Sequence, residues 1–465
     1  MARQMNNCAS REQNQACLNS SETKSILERK FKDSGMEWVG KIPSNWSECR
    51  LKDLGYLYGG LTGKSGEDFN VEDNDNFAWF IPFTNIFNNN IIQIDNLRKV
   101  KVIEGEKQNE VHKGDVLFLM SSEDFDGIGK NALMNDEIPQ LYLNSFCKGF
   151  RITHQNVVPN YLNYLLSSQV IREQIRIEAK GFIRINLRQD KLACISILFP
   201  PFPEQQAIAN FLDKKCGEID ELVSVEEATI ESLKTYKQSI ITETVTRGLD
   251  PNVKLKDSGV EWIGEIPEHW TLARLKNVCR FCPSNNHSIL PDIVGYAPMN
   301  TIKNGYMEPS TIEKDKLTSG LTYFEDGDIV MAKVTPCFEN GNIAIANNLY
   351  NGCAFGSSEL FVFRTINISQ VFLFYLLRNE DFKSVCCATM TGTGGLKRVS
   401  LNFIYNSSIP MPPIHEQQSI ASYLDKKCSE IDALVALHQE KIETLKTYKQ
   451  SMIFEYVTGK KRLFD

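Results

Sequence analysis

The chain has 465 residues, of which 42% are hydrophobic and 23% charged, a composition typical of a globular protein with roughly two to four domains. It contains no apolar run of about 18 residues, so the sequence predicts no membrane-spanning helix and no membrane partner. Its 51 Lys and Arg against 58 Asp and Glu give a net charge of −7. That charge disfavours a protein that coats nucleic acid by bulk attraction, but it leaves room for local basic surfaces.

Residues 1–30 are polar and lack the apolar stretch of a secretory signal. We therefore expect a flexible N-terminal extension and a cytoplasmic protein. The 13 Cys agree with that location, because their number is odd and a reducing compartment favours free thiols over a disulfide framework.

Two segments of the chain occur twice. Phe31–Trp46 matches Leu255–Trp270 at 10 of 16 positions, and Pro200–Thr246 matches Pro412–Thr458 at 30 of 47. Internal repeats of this kind indicate repeated structural units. The predicted organisation is a globular domain at 31–199, a spacer helix at 200–248, a second globular domain at 255–411, a second spacer helix at 412–459 and a tail at 460–465.

Each long repeat carries apolar residues at spacings of three, four and seven, which predict a helix with one apolar stripe. Prolines precede the first copy and Gly248 follows it, as at helix starts and ends. At 1.5 Å per residue, each helix is expected to run for roughly 66 Å. The residues expected to form the core of a helix pair are Ile208, Leu212, Ile219, Leu222, Ile230, Leu233, Ile420, Leu424, Ile431, Leu434, Ile442 and Leu445.

We expect the two helices to pair as an antiparallel coiled coil about a pseudo-two-fold axis, with one globular domain at each end of an α/β (α+β) protein. The alternative is that the stripes only complete the cores of the domains. The segments between the repeats are only faintly similar, as in Lys113-Gly-Asp-Val-Leu and Asp326-Gly-Asp-Ile-Val. Matching helices and diverged domains indicate a constant scaffold that presents two different recognition surfaces.

The repeated blocks resemble those of the specificity subunits of Type I restriction-modification systems. The resemblance runs from about Phe31 to the C-terminus and rests on Asp-Ser-Gly-x-Glu-Trp-x-Gly-x-Ile-Pro-x-x-Trp and Pro-Pro-x-x-Glu-Gln-Gln-x-Ile-Ala, each present twice. Tyr58-Gly-Gly-Leu-Thr-Gly-Lys-Ser in the first domain also resembles the family pattern. The second domain has Phe281-Cys-Pro-Ser-Asn-Asn-His instead, so the two domains are expected to recognise different targets.

The resemblance implies a subunit without a catalytic site of its own. Each target-recognition domain would read one half of a bipartite, asymmetric site on double-stranded DNA, and the helices would fix the unread spacer. The same helices would dock two methyltransferase subunits, which restriction (motor and nuclease) subunits then join. S-adenosylmethionine for adenine-N6 methylation, and ATP and Mg²⁺ for cleavage, would be bound by those partners and not by this chain.

Two motifs that would indicate other functions, a phosphate-binding loop and a zinc site, are incomplete. Gly59-Gly-Leu-Thr-Gly-Lys-Ser is one residue short of a phosphate-binding P-loop, so a recognition-domain loop is the preferred interpretation. Cys279 and Cys282 have zinc-ligand spacing with His287 nearby, but no second Cys-x-x-Cys completes a four-ligand site, and we predict no metal site.

Candidate DNA contacts are basic or amide side chains, because Lys and Arg bind phosphates and guanine edges while Asn suits adenine edges. They cluster just before each spacer helix, in a glycine-rich loop and in Asn-rich stretches. Asn85–Asn90 is one such stretch, and the alternative for it is a set of turns. The other candidates are Lys64, Ser65, Arg172, Arg176, Lys180, Arg184, Arg188, Asn285, Asn286, Thr393, Lys397 and Arg398.

Two other functions remain open. One is a specificity subunit that serves a fused methyltransferase–nuclease, which the sequence alone does not distinguish from the first interpretation. A coiled-coil adaptor that binds proteins and not DNA is favoured by the net acidity and opposed by the two diverged domains.

Overall fold

The computed structural model describes residues 30–36, 39–69, 71, 77–103, 105–284, 290–393 and 395–463. These residues form two compact units. The first unit contains the described residues up to Ser224 together with those from Ile442 onward, and the second contains Val225–Lys441. Each of the two long helices contributes one part to each unit, so the first unit combines two separate stretches of chain whereas the second is continuous.

The first unit combines short helices with small sheets. Its helices before the first long one are α1 (Leu51–Leu54), α2 (Phe83–Asn88), α3 (Pro159–Ser167), α4 (Gln169–Glu178) and α5 (Gln189–Ala193). Its strands are β1 (Phe31–Asp33), β2 (Lys41–Pro43), β3 (Ser47–Arg50), β4 (Gly55–Gly59), β5 (Ala78–Ile81), β6 (Arg98–Val100), β7 (Val116–Leu119), β8 (Ser121–Ser122), β9 (Asn131–Leu133), β10 (Leu141–Leu143), β11 (Cys147–Ile152), β12 (Ile185–Asn186) and β13 (Ser196–Phe199).

Two sheets carry the first unit. One has the antiparallel order β4-β11-β7-β9, and the other has the order β10-β5-β6 with β10 parallel to β5. The strand pair β3-β13 brings the start and the end of the domain together, directly before the long helix. Strands and both long helices share one hydrophobic core, in which Phe118 and Phe150 of the sheet meet Leu212 and Val457 of the helices.

The second unit has a related but not identical arrangement. Its short helices are α7 (Leu275–Val278), α8 (Gln370–Leu377), α9 (Glu380–Ala388) and α10 (Leu401–Asn406). Its strands are β14 (Leu255–Asp257), β15 (Glu265–Pro267), β16 (Thr271–Arg274), β17 (Cys279–Phe281), β18 (Ile293–Ala297), β19 (Ser310–Glu313), β20 (Thr322–Glu325), β21 (Ile329–Ala332), β22 (Ile343–Ile345), β23 (Cys353–Gly356), β24 (Leu360–Thr365) and β25 (Ser408–Met411).

Two four-stranded sheets of the second unit have the orders β17-β24-β21-β22 and β19-β18-β23-β20, with β18 parallel to β23. The pair β16-β25 again brings both ends of the domain together before a long helix. Its core joins Phe372 and Phe382 to Ile241 and Leu424 of the long helices.

The long helices are α6 (Phe202–Arg247) and α11 (Ile414–Val457). They lie inside the predicted segments 200–248 and 412–459, and the predicted mixed α/β class with long helices is confirmed. Gly248 follows α6 with φ +79°, the left-handed conformation that commonly ends helices. Within the described residues, no helix has the length and apolarity needed to cross a membrane.

The apolar stripe is buried at most of its predicted positions. Leu222 and Leu434 depart from the prediction, since they are 48% and 44% exposed. Their neighbours Val223 and Val435 pack against the cores instead. The reason is helical geometry: Val223, four positions after the buried Ile219, lies closer to the face of Ile219 than Leu222, which is three positions after it. The buried positions are Ile208, Leu212, Ile219, Ile230, Ile420, Leu424, Ile431 and Ile442, and the partly buried ones that pack against the cores are Leu233 and Leu445.

The repeated blocks build the joint between each domain and its long helix. The indole Nε1 of Trp46 donates to Glu204 Oε2 at 2.9 Å, and that of Trp270 donates to Glu416 Oε2 at 2.9 Å. Both tryptophans are almost fully buried. Each glutamate lies in the first turn of its helix, where a negative charge is favoured. Matching sequence therefore reflects a matching internal joint, in addition to any external partner.

A second pair of contacts repeats farther along each helix. Tyr164 OH donates to Asp213 Oδ1 at 2.9 Å, and Tyr375 OH donates to Asp425 Oδ1 at 2.8 Å. Burial raises the pKa of both tyrosines, and the neighbouring carboxylates raise it further. The hydroxyls are therefore neutral hydrogen-bond donors that lock a domain helix onto the long helix.

Candidate nucleic-acid interface

Arg172 and Arg176 lie on α4 and bind the loop at residues 123–128. Arg172 donates to the carbonyl oxygens of Ile128 at 2.6 Å and Asp126 at 2.7 Å. Arg176 pairs with the carboxylates of Asp126 at 2.6 Å and Glu173 at 2.9 Å. Burial, together with the nearby Arg176 charge, lowers the pKa of Arg172 to about 10. Both arginines thus shape a loop as well as supplying positive charge.

A hairpin follows α4. The backbones of Lys180 and Asn186 bond to each other at 3.0 and 2.9 Å, and β12 then pairs with β8. Gly181 has φ +152°, and a Cβ at this position would lie 2.0 Å from the carbonyl oxygen of Arg184, so glycine is required. The guanidinium of Arg184 lies 5.4 Å from the centre of the Phe146 ring. Lys180 and Arg184 are exposed and form no ion pair with a residue that the structure describes.

Arg188 and Lys191 beyond the hairpin pair with acidic neighbours. Arg188 lies 3.0 Å from Asp190, and Lys191 lies 2.7 Å from Glu178. Exposed ion pairs of this kind are weak, because water and salt screen the two charges. Both cations can therefore exchange a carboxylate for a phosphate at little cost.

A cleft of about 670 Å³ opens in the first unit, where α2 and α4 face the long helices. Asn88, Asn89 and Asn90 line it together with Arg172 and Arg176, so the structure brings two predicted groups of candidates to one place. The lining also contains cations that sequence reasoning missed, and it holds five cations against three carboxylates. The cations are Lys130, Arg172, Arg176, Lys446 and Lys449, and the carboxylates are Asp126, Glu173 and Asp220.

The Asn-rich stretch divides into structural and available residues. Asn85 is buried, donates to the Gln93 carbonyl at 2.9 Å and accepts from the Gln93 amide at 3.1 Å, which leaves it no free edge for a base. Asn89 donates back to Asn85. Asn88 and Asn90 are exposed, and their side chains make no hydrogen bond within the described part of the chain. Candidates for base contact therefore narrow to these two.

The loop at Lys64 is closed by its own domain. Lys64 Nζ lies 2.6 Å from Glu106 Oε2, and the Lys64 side chain is only 6% exposed. The hydrogen bonds from Lys64 and Gln108 lower the pKa of Glu106 to about 2. Ser65 donates through its amide and its hydroxyl to Asp68, at 2.7 and 3.1 Å. Lys64 is therefore not open to a phosphate in this arrangement, whereas Ser65 is exposed with its amide and hydroxyl bonded to Asp68.

The second unit presents a corresponding loop before its long helix. The backbones of Thr391 and Arg398 bond to each other at 3.0 and 2.8 Å. Arg398 forms a two-pronged ion pair with Glu359 at 2.9 and 3.0 Å, which lowers the pKa of Glu359. The Lys397 amide donates to Thr335 Oγ1 at 3.0 Å. Thr393 and the Lys397 side chain are exposed, whereas Asn285 and Asn286 lie outside the described residues.

A cleft of about 570 Å³ in the second unit has a different lining. Arg378 donates to Asn304 Oδ1 at 2.9 Å, and its guanidinium lies 4.9 Å from the centre of the Phe374 ring. Asn347 and Tyr306 also line this cleft, together with Lys237 and the carboxylates of Asp425 and Asp432. Sequence reasoning missed these residues, because nothing in the chain signals that the strand and helix ends carrying them meet.

Two further exposed patches lie on the long helices and were not predicted. In the first unit, Lys215 and Glu218 pair at 2.7 Å on the same face of α6 as the exposed Leu222. Tyr448 of α11, 58% exposed, lies close enough to contribute to the raised pKa of Lys215, after the larger effect of Glu218. The repeat-equivalent residues of the second unit are Lys427, Glu430, Leu434 and Tyr236, with a Lys–Glu distance of 2.9 Å and a Tyr236 exposure of 57%.

The described residues contain no group of three or more His, Cys, Asp or Glu arranged to hold a metal ion. Burial raises the pKa of Cys279 to about 12, whereas Cys282 is exposed, and His287 lies outside the described residues. Every cysteine that the structure describes is a free thiol.

The comparisons with known proteins agree with one another. The family model for the Type I restriction modification DNA specificity domain matches twice, at residues 43–234 and 267–447. The EcoAI specificity subunit of Escherichia coli is 33% identical over 193 residues, which cover 39% of this chain and 33% of that relative. For the EcoEI specificity subunit the values are 33% identity, 44% of this chain and 37% of the relative. The matches thus span about a third of the length of these two curated relatives.

A longer match joins this chain to the putative MjaX specificity subunit of Methanocaldococcus jannaschii, at 26% identity over 91% of this chain and 96% of the relative. A solved chain from work on complex assembly and conformational transition of the type I R-M system superposes with a TM-score of 0.66 at 15% identity. That superposition covers 90% of this chain and 98% of the other, and it shows a shared fold.

Proposed function

Because the chain belongs to the family of Type I restriction modification DNA specificity domains, we propose that its two units read the two halves of a bipartite, asymmetric site on double-stranded DNA. As a member of this family, the chain is a DNA-binding specificity subunit and is not itself an enzyme. One observation carries this proposal. The two units share the same joint to a long helix, through Trp46–Glu204 and Trp270–Glu416. The long helices line both clefts with equivalent Asp–Lys pairs, yet the globular domains line them with different polar residues. Recognition of two different half-sites requires a constant attachment to the helices and a different binding surface on each domain.

The clefts and loops supply suitable chemistry for DNA. Lys and Arg side chains bind phosphates and set position, whereas amide side chains distinguish base edges. In the first unit, Asn88 and Asn90 are exposed beside five cations. In the second unit, Asn304 and Asn347 accompany Arg378. We assign phosphate contact to the exposed Lys180, Arg184 and Lys397.

We further propose that α6 and α11 form one antiparallel coiled coil that fixes the spacer between the half-sites. In the first unit Phe211 packs on Tyr456, with ring centres 4.6 Å apart, and Asp220 bonds Lys449 at 2.6 Å. In the second unit Asp432 bonds Lys237 at 2.6 Å. Residue numbers rise along one helix as they fall along the other, and the two Asp–Lys pairs join repeat-equivalent positions. Both features support an antiparallel pair with a pseudo-two-fold axis.

The exposed helix patches support two equivalent partners. Leu222 with Tyr448, and Leu434 with Tyr236, present closely similar apolar and aromatic surface flanked by a Lys–Glu pair. Aromatic side chains dominate binding energy at protein interfaces. We propose that one methyltransferase subunit docks on each patch and that restriction subunits join this assembly in the cytoplasm. S-adenosylmethionine, ATP and Mg²⁺ would then be bound by those subunits.

The proposal is tested by mapping N6-methyladenine across the host genome with and without this gene. We expect one bipartite, asymmetric motif to lose methylation when the gene is deleted and to regain it on complementation. A complementing chain with Trp46→Ala and Trp270→Ala, which breaks both joints, serves as the inactive control. If the map stays unchanged while the chain still assembles with protein partners, an adaptor without DNA recognition replaces this proposal.

A further inference from the structure

The hairpin between Lys180 and Asn186 presents two apolar side chains to solvent. Phe182 and Ile183 at its tip are 104% and 90% exposed, which means that they contact almost nothing in the protein. A large apolar side chain left fully in water forgoes the favourable free energy that burial would contribute. The fold gains nothing from these two residues, so their value lies in something outside the described chain.

Hydrogen bonds and a turn that requires glycine hold the tip of the hairpin in place. Backbone hydrogen bonds join Lys180 and Asn186 in both directions, and Ile185 is buried where β12 pairs with β8. The Asn186 side chain donates to the Arg184 carbonyl at 3.1 Å. Only glycine fits at residue 181, which fixes the turn. A pre-ordered tip loses little conformational entropy when it enters a partner.

The surroundings of the tip favour nucleic acid over protein. Lys180 and Arg184 flank the apolar pair, are exposed and have no carboxylate partner among the described residues. β8, which pairs with the hairpin, leads directly into the loop that Arg172 and Arg176 hold at the edge of the basic cleft. Two positive charges therefore flank the apolar pair, while the loop beyond β8 is mixed in character, because Arg176 pairs with Asp126 there and Glu123, Asp124 and Phe125 are exposed.

Resting on the proposed function, we propose that Phe182 and Ile183 form an apolar wedge that inserts into a groove of duplex DNA and unstacks one base step in the half-site read by the first unit. Proteins that bend DNA use Phe, Leu, Ile or Met in this way, with cations on the adjacent phosphates. Lys180 and Arg184 take that phosphate role here. The wedge adds specificity, because flexible pyrimidine–purine steps unstack more easily than others.

The second unit has only a reduced form of this device. Its loop is closed by Thr391 and Arg398, and Leu396 is 55% exposed. Thr335 Oγ1 bonds the Gly395 carbonyl at 2.7 Å and ties that loop down. We therefore expect DNA distortion in the first half-site and little in the second.

The test uses the full chain assembled with its methyltransferase subunits and duplexes that carry the mapped motif. 2-Aminopurine replaces bases of either half-site, except the methylated adenine, which the methyltransferase itself takes out of the stack. The wild-type complex should raise 2-aminopurine fluorescence in the first half-site. Phe182→Ala/Ile183→Ala should abolish that rise and weaken binding about tenfold or more, the scale of a lost base-stacking contact.

Two variants serve as controls. Ile177→Ala removes a side chain that is 64% exposed on α4, outside the hairpin, and should leave binding and fluorescence unchanged. Phe182→Leu keeps an apolar wedge and should retain most of both signals. Thermal unfolding should be the same for all variants, because the tip makes no packing contacts.

Unchanged affinity and fluorescence in the double variant would overturn the wedge while leaving the proposed function intact. Loss of the methyltransferase from the variant complex, with DNA binding otherwise normal, would also overturn it, since the tip would then be a protein contact. A wild-type complex that binds no DNA would overturn the wedge and the proposed function together.

Discussion

Trp46→Phe tests whether the repeated blocks exist to join each domain to its helix. The substitution keeps an aromatic ring in the buried site but removes the indole N–H that bonds Glu204 at 2.9 Å. A hydrogen bond to a charged group contributes about 1.5–3 kcal/mol. Because Glu204 is partly exposed and water can replace the donor, we take the lower end, about 1.5 kcal/mol.

The expected consequence is a lower midpoint of thermal unfolding. At about 2–4 °C per kcal/mol for a unit of this size, the loss corresponds to about 3–6 °C. Trp270→Phe should lower the stability of the second unit by a similar or smaller amount, because His269 also bonds Glu416, at 2.8 Å, and remains after the change. Calorimetry on the full chain measures both variants.

A double-mutant cycle separates the hydrogen bond from the change in packing. Trp46→Phe and Glu204→Ala are made alone and together, and the coupling energy should be about 1.5 kcal/mol. Trp79→Phe is the matched control, since its indole nitrogen bonds no residue that the structure describes. A coupling energy near zero would refute the reasoning and leave the repeated tryptophans as packing residues only.

Three other predictions have definite expected outcomes. Lys64→Met should leave DNA affinity unchanged but raise the pKa of Glu106 from about 2 toward its ordinary 4.5. A carboxyl group whose pKa is lower in the folded state than in the unfolded state stabilises the fold above the unfolded pKa, and this stabilisation is lost as the pH falls from about 4.5 toward 2. The variant should therefore show a flatter dependence of stability on pH across that range, as measured by NMR titration and acid unfolding. A weakened DNA complex would contradict this prediction. Leu222→Arg and Leu434→Arg should each cause the loss of one methyltransferase subunit from the complex, as measured by native mass spectrometry. The control Ile177→Arg should keep both subunits. Retention of two subunits in either helix variant would refute the docking patches. Lys397→Ala should reduce the salt dependence of DNA binding by about one ion, and an unchanged salt slope would remove Lys397 from the footprint.

Periodicity and repetition carried much of the fold. A helix needs only local sequence to specify its stripe, so α6 and α11 begin and end close to the predicted positions. The prediction that Leu222 and Leu434 are buried was wrong. Each is followed by a valine, and it is the valine that packs against the core while the leucine is exposed. Which of two adjacent residues turns inward depends on the partner surface, and that is not a local property.

The candidate site was harder to predict because it depends on pairing between distant segments. Lys64 looked available in the sequence, but Glu106, 42 residues away, pairs with it. Arg172 and Arg176 were recognised as basic, yet their structural role depends on a loop about 45 residues earlier. Lys446 and Lys449 reach the first cleft from the other end of the chain. Faint similarity between the domains has a structural cause, since the buried carboxylates of Asp115 and Asp328 form equivalent ion pairs with the partly exposed Arg151 and Arg364.

The most direct test of two recognition domains on a fixed ruler is a methylation map of a strain whose α6 carries a duplication of the four residues 229–232. Four residues lengthen a helix by about 6 Å, which corresponds to at most about two base pairs at 3.4 Å each. If the helices set the spacer, both half-sites stay the same and only the spacer between them lengthens. A map in which either half-site changes, or in which the spacer keeps its length, would contradict it.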